Sequence, residues 1–206
     1  NQQIQTKNLR ILDLGSGEGG TSKVFSEDNF VVSLDLSLIR LQRQRIDVIS
    51  ALDIPSEEGE SSSEKSSTND KSRFPPAVEM TEQKLVNASA LQLPFTNHLF
   101  DLIIIQDVIE HLTNTSDFYS EVKRVLKTNG SIYLSTPNKL SIFNFFSDPH
   151  FGLPIVAILK RETIKKYFLK YFRKDDYNRK DIAQLFSLND LLNLFKKDFE
   201  ISLQTK

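Results

Sequence analysis

LDLGSGEGG, residues 12–20, is the stretch on which the fold turns. The apolar run LRILDL (9–14) stops at glycines, and residues 21–26 resume with helix-compatible spacing. This reads as strand, tight turn, helix. Two glycine patterns overlap here: Gly15, Gly17 and Gly20 spell GxGxxG, while Asp13, Gly15, Gly17 and Gly19 spell DxGxGxG. Glycines at 15 and 17 let the chain turn sharply and bring backbone N–H groups near a ligand, and the next helix offers its positive end. A second strand follows at FVVSLDLS (30–37), then a helix from Leu38 to about Leu52. Asp35, at the strand tip and 15 residues after Gly20, is placed to accept two hydrogen bonds from a ribose diol. It can also cap the helix at Leu38. Both glycine patterns belong to nucleotide loops, so these residues leave the choice open.

Further along, PSEEGESSSEKSSTNDKSRFPP (55–76) is rich in Ser and Glu and nearly free of apolar residues. It reads as part of a disordered insertion over 55–82. Order is expected to resume with a third strand at KLVNASA (84–90), and Pro94 in LQLPF bars a central strand there. LFDLIIIQ (99–106) is a continuous apolar run, the pattern of a strand buried on both faces. From Ser116 to Lys127 a helix places Phe118, Val122, Val125 and Leu126 on one face, with Asn129 and Gly130 as its stop. SIYLSTP (131–137) is the next strand; a helix opened by Ser187 and Asp190 and a strand from about Phe199 complete the pattern. Strands alternating with helices predict a Rossmann-like, doubly wound, mostly parallel sheet in one domain over 1–206, with ligands at the carboxyl ends of its strands.

The composition narrows the function. A net charge of −1 gives no global attraction to phosphate, so nucleic acid is not an expected partner. The chain has no Cys, which excludes disulfides, thiolate metal sites and a cysteine nucleophile. No apolar stretch nears the roughly 20 residues of a membrane span, and no secretion signal is evident, so a cytoplasmic location is expected. With Asn1 in place of an initiator Met, a fragment or a trimmed chain is expected.

Downstream residues separate the two loop readings. ILDLGSGEGG, VVSLDLS, ALQLPF, LFDLIIIQDVIEHL, EVKRVLKTNGSIYLSTPN and the late FEI occur in one order. In that order the chain resembles the class I S-adenosylmethionine-dependent methyltransferases, in the group containing the ubiquinone and menaquinone methyltransferases. The resemblance implies S-adenosylmethionine as cofactor, its methionine part over Gly15, Ser16, Gly17 and Gly19, with Asp13 helping through the loop. Asp35 takes the ribose hydroxyls, next to Leu36, and Ser89, Ala90 and Leu91 meet the adenine. Ser89 stands where the family often has Asp, a change that weakens binding by about 1 kcal/mol. Gly20 becomes a helix-packing residue. The family also ends in an antiparallel seventh strand, for which this chain leaves no room.

Gln106 and Asp107 follow the buried strand and are expected beside the sulfonium and the acceptor. His111 is the best general-base candidate of the three histidines, although EHL also holds helix and site together in this group. A base favours oxygen as the methylated atom. Asp107, Glu110 and His111 at i, i+3 and i+4 resemble the ExxEH element of metal-assisted O-methyltransferases, with His150 the only late candidate for a further ligand. The plainer expectation is a satisfied helix start with Glu110 facing solvent, and no metal is assigned.

An inserted cap is expected over 139–180. Phe143, Phe145, Phe146 and Phe151 surround a DPHFGLP turn and could line an apolar pocket, or form a small satellite core. Lys160, Arg161, Lys165, Lys166, Lys170, Arg173 and Lys174 interleave with apolar residues as a basic amphipathic helix, suited to an anionic membrane surface or simply solvated. The acceptor is therefore expected to be a small or lipid-linked molecule, with peripheral membrane contact through this helix. Two other functions stay open: an NAD(P)-dependent reductase or epimerase, which would lack a YxxxK pair in a suitable place, and a non-catalytic methyltransferase-like binding module, to which Ser89 lends weight.

Overall fold

The computed structural model describes residues 7–51, 83–147, 149–150, 152, 155–172 and 182–204. Five parallel strands form one sheet: β1 (Arg10–Leu14), β2 (Phe30–Asp35), β3 (Gln83–Asn87), β4 (Phe100–Gln106) and β5 (Leu126–Ser135), in the order β3-β2-β1-β4-β5. The order reverses between β1 and β4, which opens a crevice at their carboxyl ends. Helices α1 (Gly20–Phe25), α2 (Leu38–Ala51) and α3 (Thr115–Val125) connect the strands.

Alternation along the strands builds two cores. Leu12, Leu14, Val32, Leu34, Ile103 and Ile105 pack on one face with Phe118, Val122 and Val125 of α3. Ile11, Val31 and Ile104 pack on the other, with Phe25 of α1 against them. Covering both faces is why β4 reads as an unbroken apolar run. Asn114 caps α3 through its side chain, which accepts from the N–H groups of Ser116 and Asp117.

Three boundaries differ from the sequence reading. The third strand stops at Asn87, so Ser89 and Ala90 lie in the loop after it. Helix α3 ends at Val125, and Leu126 already pairs with Phe100. Asn129 and Gly130 fall in an irregularity before Leu102 pairs with Ser131, and do not end the helix. Pairing to β4 starts before the glycine and overrides its stop signal.

The strand expected from Phe199 does not form; residues 199–204 are irregular. The Phe199 ring packs on Tyr119 and Phe195, while Ile201 and Leu203 are exposed. Ring burial against α3 and α7 (Leu188–Phe195) anchors this segment without backbone pairing, and β5 remains one edge of the sheet, with β3 the other, among the described residues. Helix α7 does start with the expected capping box of Ser187 and Asp190. The insertion expected at 55–82 lies outside the described residues. No described helix is long and apolar enough to cross a membrane.

Candidate functional site at the carboxyl ends of β1, β2 and β4

The glycine loop joins β1 to α1 at the crevice. Gly15, Gly17 and Gly19 have φ of 70°, 57° and 86°, in the left-handed region, and Gly20 does not. A Cβ on Gly15 would lie 2.3 Å from Val108 Cγ2, and one on Gly19 about as close (2.4 Å) to Gln44 Cγ. A Cβ on Gly20 would meet nothing within 4 Å. Gly20 is therefore not the packing glycine expected from the sequence: Gly19 has that role, because the side chain of α2 residue Gln44 occupies its flank. The third glycine of a dinucleotide loop serves close helix packing, so GxGxxG is the coincidental spelling and DxGxGxG the structural one.

The loop amides are turned inward. Gly15 and Ser16 donate to the Leu34 carbonyl at 2.7 and 3.1 Å, and Gly17 donates to Asp35 Oδ2 at 3.0 Å. Ser37 donates to Asp35 Oδ1 at 2.7 Å. These bonds hold the Asp35 carboxylate at the tip of β2, and Leu36 beside it is 77% exposed. Next to Gly17 the only atom within 4 Å of an added Cβ is Gly15 O at 3.9 Å, so the loop leaves open space there.

Asp13 is buried beneath the loop. Ser22 donates to its Oδ2, Ser33 donates to Ser22 Oγ at 2.7 Å, and Gln44 donates to Ser33 Oγ at 3.0 Å. This chain of hydrogen bonds ties β1, α1, β2 and α2 together. Burial pushes the Asp13 carboxyl above its ordinary range, the Ser22 hydrogen bonds oppose the shift, and the Asp35 charge adds to it. Asp13 thus supports the loop from below, without reaching into the crevice.

Loop 88–97 follows β3 and carries Ser89, Ala90 and Leu91. Ser89 Oγ accepts from the Leu91 N–H at 3.2 Å. Behind the loop, Arg124 of α3 donates to the carbonyls of Phe95 (2.7 Å) and Leu93 (3.0 Å) and to both oxygens of Glu121. Glu121 in turn accepts from the Leu93 N–H at 2.6 Å. The Arg124 guanidinium lowers the Glu121 pKa below its ordinary value. This clamp ties the LPF and EVKRVLK segments to each other.

At the end of β4, Thr21 of α1 donates to Gln106 Oε1, joining the glycine loop to this strand. Asp107 has a φ of 52° and is exposed, its N–H donating to the Ser135 carbonyl at 2.9 Å. The chain turns sharply there, and only Ile109–His111 form a short 3-10 turn. Asp107, Glu110 and His111 therefore do not share a helix face, contrary to the sequence reading. Glu110, expected to face solvent, is 0% exposed; Thr136 donates to its Oε2 at 2.9 Å. His111 is half-buried and its ring lies edge-on to that of His150, centroids 5.1 Å apart. His98 is remote from this group in role, its Nδ1 sitting 3.1 Å from the Leu126 carbonyl.

The methyltransferase domain family matches residues 12–134, the span from the glycine loop to β5. The chain belongs to this methyltransferase family. The loop fits the S-adenosylmethionine that the sequence leads one to expect: there is room at Gly17, the Asp35 carboxylate is held by two amides, and Leu36 beside it is exposed. The methyltransferase is 34% identical over 79 residues to an uncharacterized protein of Methanocaldococcus jannaschii, covering 36% of this chain and 35% of that one. It is 30% identical over 130 residues to the glycine/sarcosine/dimethylglycine N-methyltransferase of Actinopolyspora halophila, covering 62% of this chain and 18% of that one. The matches thus span about a third and under a fifth of these relatives. The crystal structure of an S-adenosylmethionine-dependent methyltransferase from Mesorhizobium loti shares the fold: TM-score 0.59, 16% identity, 95% of this chain and 76% of that one.

In this methyltransferase the cap region departs from its expected form. Phe143 and Phe146 on α4 (Ile142–Phe146) are 86% and 69% exposed, so neither lines an inner pocket. The Phe145 side chain and Phe151 lie outside the described residues. Helix α5 (Arg161–Thr163), a π turn (Ile164–Leu169) and α6 (Lys170–Phe172) run on as one helix. Its Ile164 and Leu169 bury with Val156 and Ile182 in a small separate core, to which Phe143 and Phe146 do not contribute. Arg161 leaves the basic face: it donates to the carbonyls of Glu110 and Leu112 at 3.0 Å and of Ile182 at 2.6 Å. Arg173 and Lys174 lie outside the described residues. Sequence reasoning missed Arg161, Gln44 and the Glu121–Arg124 clamp. A faint signal existed for the clamp, since Glu121 and Arg124 stand at i and i+3.

Proposed function

We propose that this methyltransferase transfers the methyl group of S-adenosylmethionine to a hydroxyl of a small molecule that carries an apolar portion. The cofactor supplies an electrophilic methyl on a sulfonium; the protein has to align a nucleophile and give its proton a destination. The observation that carries the oxygen reading is the group of Glu110, His111 and His150, whose ligating atoms lie within 4.8 Å of one another beyond the end of β4. Val108, two residues earlier, packs against Gly15 of the cofactor loop, which brings this group to the same crevice. An acceptor hydroxyl there finds hydrogen-bonding partners for orientation and an exit for its proton. Exposed Leu140, Ile142, Phe143 and Phe146, with exposed lysines at 165, 166 and 170 on the cap, support an apolar or lipid-linked acceptor met at an anionic surface. The relative named for N-methylation of glycine and sarcosine favours a second reading, an amine acceptor.

The deciding experiment measures S-adenosylhomocysteine formation with phenolic or quinol acceptors and with glycine and sarcosine in parallel. Turnover with hydroxyl acceptors is expected. Turnover with amines alone overturns the oxygen reading, and failure of S-adenosylhomocysteine to bind in calorimetry overturns the enzyme reading.

A further inference from the structure

We propose that Glu110, His111 and His150 bind one divalent transition-metal ion. The three residues offer one carboxylate oxygen and two imidazole nitrogens, all within 4.8 Å of one another. Glu110 is 0% exposed, and its Oε1 has no hydrogen-bond partner among the described residues. The other oxygen, Oε2, is fixed by the Thr136 hydroxyl at 2.9 Å, which orients the carboxylate as outer-shell partners of metal ligands do. His111 Nδ1 is likewise buried and unpartnered. Buried polar atoms without partners are rare enough to require a cause, and two occur here in adjacent residues facing a third donor.

The main chain beneath the group is held by hydrogen bonds from two other segments. The Glu110 carbonyl accepts from Gln184 N at 2.8 Å and from Arg161 at 3.0 Å, so the guanidinium serves carbonyls and leaves the carboxylate to another cation. Two imidazoles with one carboxylate select zinc-class ions over magnesium, which prefers oxygen ligands. A tetrahedral ion with bonds of about 2.0–2.1 Å sets its ligands about 3.4 Å apart, so side-chain rotations of roughly 1–1.5 Å close the site. Three protein ligands leave a fourth position for solvent or acceptor. A hydroxyl bound there loses its proton more readily; this role rests on the oxygen reading above, whereas metal binding does not.

The test is calorimetric titration of the chelator-treated chain with Zn2+, and visible spectroscopy with Co2+. One ion per chain is expected, with the intense visible bands of four-coordinate cobalt. His150→Ala and Glu110→Gln each weaken binding by more than about 100-fold, and Thr136→Val by about 10–100-fold; His98→Ala binds as the wild type does. Circular dichroism melts establish that each variant folds, and the isosteric Glu110→Gln secures the test if His150→Ala does not. No 1:1 uptake of Zn2+, or equal uptake by Glu110→Gln and wild type, overturns the proposal. Retained S-adenosylhomocysteine binding in the same sample then separates this failure from failure of the enzyme reading.

Discussion

Gly19→Ala and Gly20→Ala form a matched pair that tests the reading of the loop. At Gly19 the backbone φ is 86°, and an added Cβ would stand 2.4–2.5 Å from the Gln44 side chain. Holding Ala in the left-handed region costs about 1–2 kcal/mol. Gln44, 2% exposed, must also move, which breaks its 3.0 Å bond to Ser33 for about another 1 kcal/mol. The sum is about 2–3 kcal/mol, or roughly 4–12 °C in Tm for a domain of this size. At Gly20 a Cβ meets nothing within 4 Å, and α1 begins there. Ala in helical backbone restricts the unfolded chain and stabilises by about 0.4–1 kcal/mol. Urea unfolding of both variants, with calorimetric binding of S-adenosylhomocysteine, gives the comparison. Loss of stability and cofactor binding at 20 with tolerance at 19 would refute the assignment of DxGxGxG as the structural pattern.

Three further outcomes follow from the same geometry. Arg124→Ala removes the clamp on loop 88–97 and is expected to destabilise by about 2–4 kcal/mol, with Arg124→Lys restoring less than half because it lacks the planar fork; equal stability in urea melts counts against it. Because Arg124 depresses the Glu121 pKa, that contribution is present above the ordinary carboxylate range and is lost as pH falls through the folded-state value, so the cost of Arg124→Ala shrinks in acid. For Asp13 the sign reverses: its pKa is raised, so its favourable share is present at low pH and lost as pH rises through the folded value, and Asp13→Asn should gain on wild type as pH rises above the ordinary carboxylate range. A flat difference over that rise would remove the burial argument. Ser89→Asp keeps an acceptor for the Leu91 N–H and adds a charged acceptor, and should tighten S-adenosylhomocysteine by about 1 kcal/mol, or roughly fivefold; unchanged affinity places Ser89 away from the adenine.

Much of the sheet was legible because buried parallel strands are nearly continuous apolar runs; β4 and the β1–loop–α1 unit were read almost to the residue. The late strand was not, since FEI carries the same local pattern whether its ring or its backbone is satisfied. Glu110 shows the same limit at the site: a charged residue in a short turn reads as solvated, and only the arrival of Thr136, Arg161 and Gln184 from distant segments buries it.

By itself the sequence determined the fold class, the glycine turn after β1 and the place of Asp35 at the tip of β2, because each depends on neighbours within one strand–turn–helix unit. The tertiary structure decided that Gly15 and Gly19, and not Gly20, are the crowded glycines, since that depends on Val108 and Gln44 pressing from other elements. It also brought His150 to Glu110 and His111, a meeting of residues about 40 apart that no local periodicity encodes. Local chemistry is written along the chain; burial and convergence arise only where separate elements pack.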